Sequence, residues 1–281
     1  MVIVKRASDI NFLVTEEKNK GKKIGFVPTM GALHEGHLSL IKCAKKQNDL
    51  TICSIFINPA QFNNQSDFDK YPVTISEDIY LLESSGCDVL FLPPLEEIYP
   101  ENYITETYEL GALESVLEGQ YRPGHFQGVC KVVERLLKII PCDSIYLGNK
   151  DYQQCRVIAR MIELKKIETS IIICPTVREE NGLAMSSRNT RLSKEERNLA
   201  GAIFETLSYF KKNMQVSSLE QLKKFGADFL ASKGCSIEYI EFASKDLTLL
   251  KTREGEKTVT ALIAVYINEV RLIDNMDMNE E

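Results

Sequence analysis

The sequence predicts an α/β fold, with a mainly parallel sheet and helices on both its faces over residues 1–175 and a smaller α+β domain over 176–281. Up to Pro175, short apolar runs rich in Ile, Val and Phe alternate with segments of helical period, the pattern of buried strands joined by crossover helices. After Pro175 the order becomes a long polar loop, two helical stretches and two strands. The length, 281 residues, suits about two domains of the usual ~100–200 residues.

In chain order, Lys23–Pro28, Leu50–Ile57, Cys87–Leu92, Ser144–Leu147 and Ser170–Cys174 read as strands, too short for isolated helices. Between them Leu38, Ile41 and Ala44 recur at helical spacing. Over a longer stretch so do Phe126, Val129, Val132, Val133, Leu136, Leu137 and Ile140. Folds of this kind bind ligands beyond the carboxyl ends of their strands. In the second domain, a loop from Thr176 to Arg191 leads to Ser193, an N-cap with Glu196 three residues on as a capping box. Helices are expected over 194–212 and 218–232, and strands near 236–243 and 258–267. The acidic end, Asp274 to Glu281, is expected to be solvated.

Composition bounds the function. With 44% hydrophobic and 26% charged residues the chain is an ordinary globular one. A net charge of −6 argues against nucleic-acid binding by general electrostatics and leaves room for a local basic pocket for an anionic nucleotide. Eight cysteines include no CxxC pair, so reduced, buried thiols are expected, with no zinc site. The first stretch carries Lys5, Arg6, Asp9, Glu16 and Glu17 without an apolar core, which argues against a secretory signal. The apolar run Ala261–Ile267 is too short to span a bilayer. A cytoplasmic protein with neither nucleic-acid nor membrane partners is expected.

Polar motifs follow the strands. Pro28-Thr29-Met30-Gly31-Ala32-Leu33-His34-Glu35-Gly36-His37 leaves a strand and opens a helix, an arrangement that aims free backbone N–H groups and a helix dipole at an anion. His34 and His37, two of the three histidines, stand three apart, so a first helical turn puts both imidazoles on one face. Two surface histidines or a zinc pair are the rival readings, the second with no third ligand nearby. Ile55-Phe56-Ile57-Asn58-Pro59-Ala60-Gln61-Phe62 ends the second strand. Taken alone, Gln61 there is an exposed turn residue. Tyr121-Arg122-Pro123-Gly124-His125-Phe126-Gln127-Gly128-Val129 turns into the long amphipathic helix. Leu147-Gly148-Asn149-Lys150-Asp151-Tyr152-Gln153-Gln154 is again strand, turn and helix, with a cation able to reach a triphosphate. Arg178-Glu179-Glu180-Asn181-Gly182-Leu183-Ala184-Met185-Ser186-Ser187-Arg188-Asn189 puts hydroxyls and a guanidinium on what reads as a flexible loop.

HxGH after a strand resembles the nucleotidyl-transfer superfamily. All five motifs in this order, with Arg271-Leu272-Ile273-Asp274-Asn275, resemble the pantothenate synthetases over most of the chain. The departures are Val73, where Arg is common, Asn149 for Glu, Asn181 for Asp, and Cys130-Lys131 for Ala-Thr. The resemblance implies a Rossmann-like domain and an enzyme that uses ATP and Mg2+ to join pantoate to β-alanine through a pantoyl-adenylate, working as a homodimer. It implies ATP contacts at Met30, Gly31, Ala32, Leu33, His34, Glu35, Gly36, His37, Gly148, Asn149, Lys150, Asp151, Val177, Met185, Ser186, Ser187 and Arg188. Of these, His34, His37, Lys150, Ser186, Ser187 and Arg188 would stabilise charge on phosphate oxygens. Gln61 and Gln154 match the pantoate-binding glutamines, with β-alanine meeting Gln61. Magnesium would be held mainly by phosphates, with Glu77 or Asp78 as protein contacts if they are not simply charges on a solvated helix face. Another HxGH nucleotidyltransferase, or a non-catalytic nucleotide-binding protein on the same scaffold, is the alternative. The glutamine pair and Lys150-Asp151 argue against the first, and the intact histidines, lysine and Ser-Ser-Arg against the second.

Overall fold

A computed structural model describes residues 1–104 and 106–279. The chain runs β1 (Val2–Val4), α1 (Ala7–Asn19), β2 (Ile24–Thr29), α2 (Glu35–Gln47), β3 (Leu50–Ile55), α3 (Gln65–Asp69), α4 (Ile75–Ser84) and β4 (Val89–Phe91). It continues through α5 (Leu95–Ile98), α6 (Glu118–Tyr121), α7 (His125–Ile139), β5 (Ser144–Gly148), α8 (Tyr152–Lys165) and β6 (Ser170–Cys174). Then come α9 (Lys194–Ala200), α10 (Ala202–Asn213), α11 (Leu219–Ser232), β7 (Ser236–Ala243), β8 (Thr260–Ile267) and β9 (Val270–Asp277). The residues fall into two compact units, Met1–Asn149 with Gln153–Pro175, and Lys150–Tyr152 with Thr176 onward.

In the first unit six parallel strands lie in the order β1-β4-β3-β2-β5-β6. The strand order reverses direction between β2 and β5, which opens a crevice at their carboxyl ends. The apolar runs are continuous because both faces are covered. Alternate residues serve separate cores: Phe26, Val89 and Ile145 pack with α1, α7 and α8, while Val27, Leu90 and Tyr146 pack with α2 and α4. Val129, Val132, Val133, Leu136 and Leu137 of α7 are all buried, and each contributes about 1.5–3 kcal/mol by leaving water. The short edge strand β1 was not expected; Val2 and Ile3 are exposed and bear no core pattern.

In the second unit β7, β8 and β9 form an antiparallel sheet packed by α10 and α11. Two sequence expectations need correction. The helix over 194–212 is broken at Gly201, where a β-carbon would lie 2.9 Å from the Asn181 carbonyl oxygen. The acidic end does not begin as a solvated tail: Asp274 to Asp277 complete β9, in which Asp274 and Asn275 are buried and Asp277 is exposed, while Glu280 and Glu281 lie outside the described residues. The capping box is present, with Glu196 N–H donating to Ser193 Oγ at 3.2 Å and Ser193 N–H to Glu196 Oε2 at 2.7 Å. Among the described residues every cysteine is a free thiol, and all are buried except half-buried Cys43. No helix among them is long and apolar enough to cross a membrane.

Candidate active site

The turn between β2 and α2 is built on backbone conformations that need support. Gly31 has φ +81° and Ala32 φ +49°, the left-handed region that costs a residue with a side chain about 1–2 kcal/mol. The Asp78 carboxylate of α4 holds the turn: it accepts from Ala32 N–H at 3.0 Å and Leu33 N–H at 2.7 Å. A β-carbon on Gly31 would sit 3.0 Å from Asp78 Oδ2 and from Ile55. Expectations for this region change accordingly. The Ala32 and Leu33 amides face a protein carboxylate and not an open anion site. Asp78 is 1% exposed and its oxygens are engaged by these amides and by Thr74 Oγ1 at 3.2 Å, so it is neither on a solvated face nor open to magnesium. Its neighbour Glu77 is exposed. No group of three or more metal-ligating side chains is found among the described residues.

His34 is the N-cap of α2 and stands just outside the first turn. Its Nδ1 accepts from Gly36 N–H at 3.1 Å, so the ring carries its proton on Nε2 and presents a donor there. The His34 and His37 ring centroids are 4.1 Å apart, so the two imidazoles do form one cluster.

Gln61 lies in the turn Pro59–Gln61 beyond β3 and is 9% exposed, unlike the exposed turn residue of the plain reading. Its Nε2 donates to Met30 Sδ at 2.9 Å and its Oε1 accepts from Asn58 Nδ2 at 3.2 Å, which joins the first two motifs. Asn58 Nδ2 also donates to Gly128 O at 3.1 Å, and its Oδ1 accepts from Tyr99 Oη at 3.0 Å. His125 Nδ1 lies 2.7 Å from Gln61 O. The third motif therefore supports the second: buried His125 and side-chain-free Gly128 let α7 press against the Gln61 turn. Asn58, His125 and Gly128 all stood within the quoted motifs, yet their supporting role depends on contacts across up to 70 residues. On α8 the adjacent glutamines divide. Gln153 is buried and bonded to the backbone at Leu113, Val116 and Glu118. Gln154 is half-buried, and its side chain makes no hydrogen bond among the described residues.

The second unit holds Lys150, Asp151, Val177, Met185 and Ser186 to Arg188. Lys150 Nζ lies 3.2 Å from Asp151 Oδ1. The segment from Thr176 is not a flexible loop. Arg178 pairs with Ala184 as a bridge, Glu179 N–H donates to Leu183 O at 2.8 Å, and Met185 N–H to Val177 O at 3.0 Å. Gly182, φ +87°, closes this hairpin against Phe204, which a β-carbon would approach to 2.2 Å. Ser186 then caps the turn Ser187–Arg191, its Oγ accepting from Arg188 N–H at 3.3 Å. Asn181 accepts from Leu183 N–H and donates to Arg197 O at 2.8 Å; an aspartate here would lack that donor. Among the other departures, Val73 is exposed and Asn149 begins the turn after β5. Burial pushes the Asp274 carboxyl above its ordinary value, and the Arg178 guanidinium pulls the other way.

Comparison with known proteins adds a family. Residues 2–277 match the model described as pantoate-beta-alanine ligase. The chain is 41% identical over 280 residues to the pantothenate synthetase of Cytophaga hutchinsonii, covering 98% of this chain and 99% of that one. It is similar in structure to the pantothenate synthetase of Thermus thermophilus, with a TM-score of 0.93, 35% identity and full coverage of both chains. A crystal structure of the Francisella tularensis pantoate-beta-alanine ligase, complexed with beta-gamma ATP and beta-alanine, is similar with a TM-score of 0.84 and 39% identity, covering 100% of this chain and 99% of that one.

Proposed function

Because this chain belongs to the pantoate-beta-alanine ligase family, we propose that it condenses pantoate with β-alanine at the expense of ATP, releasing AMP and pyrophosphate. The pantoate carboxylate attacks the α-phosphorus, and the P–O bond to pyrophosphate breaks to leave pantoyl-adenylate. The β-alanine amine then attacks the acyl carbon, loses a proton, and displaces AMP. Negative charge builds on phosphate oxygens in the first half, so fixed donors there carry most of the catalysis. His34, with its donor at Nε2, and His37, Lys150, Ser186, Ser187 and Arg188 are the residues assigned to it. Electrostatic stabilisation suffices, since pyrophosphate needs little protonation to leave. Magnesium carried on the ATP phosphates would screen their charge, and Glu77 is the one of the two expected carboxylates that is exposed.

One observation carries the substrate assignment: a buried amide, Gln61, is held in place by Asn58, Met30 and His125 next to the His-bearing turn. A neutral donor orients a carboxylate without the strong ground-state pairing that an arginine fork would impose. Gln154 is assigned as its partner for pantoate. Gln61→Ala or Gln154→Ala should raise the KM for pantoate about 5- to 100-fold, the effect of losing ~1–3 kcal/mol of buried hydrogen bonding, and leave the KM for ATP near its native value. A changed ATP requirement with an unchanged pantoate requirement would remove the assignment.

An acyl-adenylate must be kept from water. The domain 176–281 acts as the lid, carrying Ser186 to Arg188 to the phosphates. Since Gly182 is packed in its hairpin, the segment is expected to move as a piece and not to bend at that glycine. Amide exchange across Thr176 to Arg191 should slow when ATP and pantoate are both bound; unchanged exchange would count against the lid. A cytoplasmic homodimer belongs to the same reading, and sedimentation of the purified chain checks the dimer.

A further inference from the structure

The segment Arg271-Leu272-Ile273-Asp274-Asn275 shares the family's pattern, yet nothing in the chemistry above uses it. It lies in β9, where Asp274 and Asn275 are each 4% exposed. Polar side chains buried this far are costly unless partnered. Both are partnered, and to different pieces of chain. Asp274 accepts from both arms of Arg178, from Nη1 at Oδ2 over 2.6 Å and from Nη2 at Oδ1 over 3.1 Å. The same guanidinium donates to Gly182 O at 3.0 Å and lies 4.5 Å over the Phe204 ring. The hairpin that leads into Ser186–Arg188 is thereby fastened to β9. One residue further on, Asn275 Nδ2 donates to Lys150 O at 2.9 Å, a bond between residues 125 apart in sequence. Successive strand residues point to opposite faces, so this adjacent pair can reach two separate segments from a single place. The consequence shows in the division of the molecule: Lys150–Tyr152 belongs to the unit of Thr176 onward, although its chain neighbours on both sides belong to the other.

We propose that Asn275 is a positioning residue for adenylation: it ties Lys150 to the strand that anchors the Ser-Ser-Arg hairpin, so that Lys150 and Arg188 act as one preorganised cationic set. Donors held in place before charge develops lose nothing to reorganisation at the transition state. The inference rests on the reading of Lys150 as a phosphate ligand. The bland rival is that Asn275 only satisfies a buried carbonyl and supports the fold.

A double-mutant cycle separates them. The rate of pantoate-dependent exchange of labelled pyrophosphate into ATP is measured for the native chain, Asn275→Ala, Lys150→Ala and the double variant. Asn275→Ala should lower exchange about 10- to 100-fold in the native background, on the scale of a lost buried hydrogen bond, but less than about 3-fold when Lys150 is already Ala. Its reaction of preformed pantoyl-adenylate with β-alanine should stay within about 3-fold of native. An equal loss in both backgrounds, or no loss in the native one, overturns the proposal. If Lys150→Ala alone keeps full exchange, the phosphate role of Lys150 fails first and the proposal with it; that result is read before Asn275 is touched. Should Asn275→Ala not fold, the native chain still decides. Native-state amide exchange at Lys150–Tyr152 should show the same denaturant dependence as Ser187–Arg191, and opening together with β5 instead would overturn the coupling.

Discussion

Lys150→Ala and His37→Ala should each lower pantoate-dependent exchange of pyrophosphate into ATP by about 10²- to 10⁴-fold, the scale of removing one strong transition-state donor. Exchange needs only the first half-reaction, so it should run with ATP, pantoate and magnesium in the absence of β-alanine. It should vanish without pantoate, whose carboxylate is the nucleophile. Adding β-alanine should release AMP in step with product. His37 is the cleaner of the two histidines to replace. The capping acceptor of α2 is His34 Nδ1, so His34→Ala would also cost about 1 kcal/mol of helix stability and confuse chemistry with folding. His37→Ala leaves the cap in place. ADP as the nucleotide product would indicate an acyl-phosphate instead, and full exchange in either variant would take that residue out of the mechanism.

Gly128→Ala should damage both the stability of the first unit and its pantoate site. In an ordinary helix the substitution gains about 0.5–1 kcal/mol, because glycine has more freedom to lose. Here the added β-carbon would lie 2.1 Å from Ala60 O and 2.8 Å from Gln61 Cα. Backbone cannot yield as a flexible side chain does, and overpacking of this kind costs about 1–3 kcal/mol or more, so the clash outweighs the propensity. Relief requires α7 and the Gln61 turn to separate, which would strain the Asn58–Gly128 and His125–Gln61 contacts. The variant should therefore melt at least a few degrees lower and show a KM for pantoate raised about 10-fold or more. Gly124→Ala is the control: its φ of +79° makes alanine strained, but nothing lies within 4 Å of the added carbon. It should lose stability without a selective rise in the pantoate KM. A native melting temperature and pantoate KM for Gly128→Ala would show that the close approach does not matter.

The architecture of the first unit and the residue types of the site were legible from local pattern. Five of its six strands and the helices α2 and α7 were readable, because a strand buried on both faces must be apolar throughout and a covering helix must repeat its apolar face. Ser193 and Glu196 were readable for a local reason, a cap closed within four residues. The motifs identified the family because they combine rare residues in a set order. The partners of polar groups across long stretches of chain came from folding alone. Asp78 read as a magnesium contact or else a surface charge, whereas its carboxylate meets the amides of Ala32 and Leu33, 46 and 45 residues away. The strand β9 carries Asp274 and Asn275 among its apolar residues and read as an acidic tail, since their partners, Arg178 and Lys150, are 96 and 125 residues distant. Local pattern records whether a residue faces water or core on average. It does not record that a charge can be buried when one other residue, folded in from elsewhere, supplies the hydrogen bonds that water would have made.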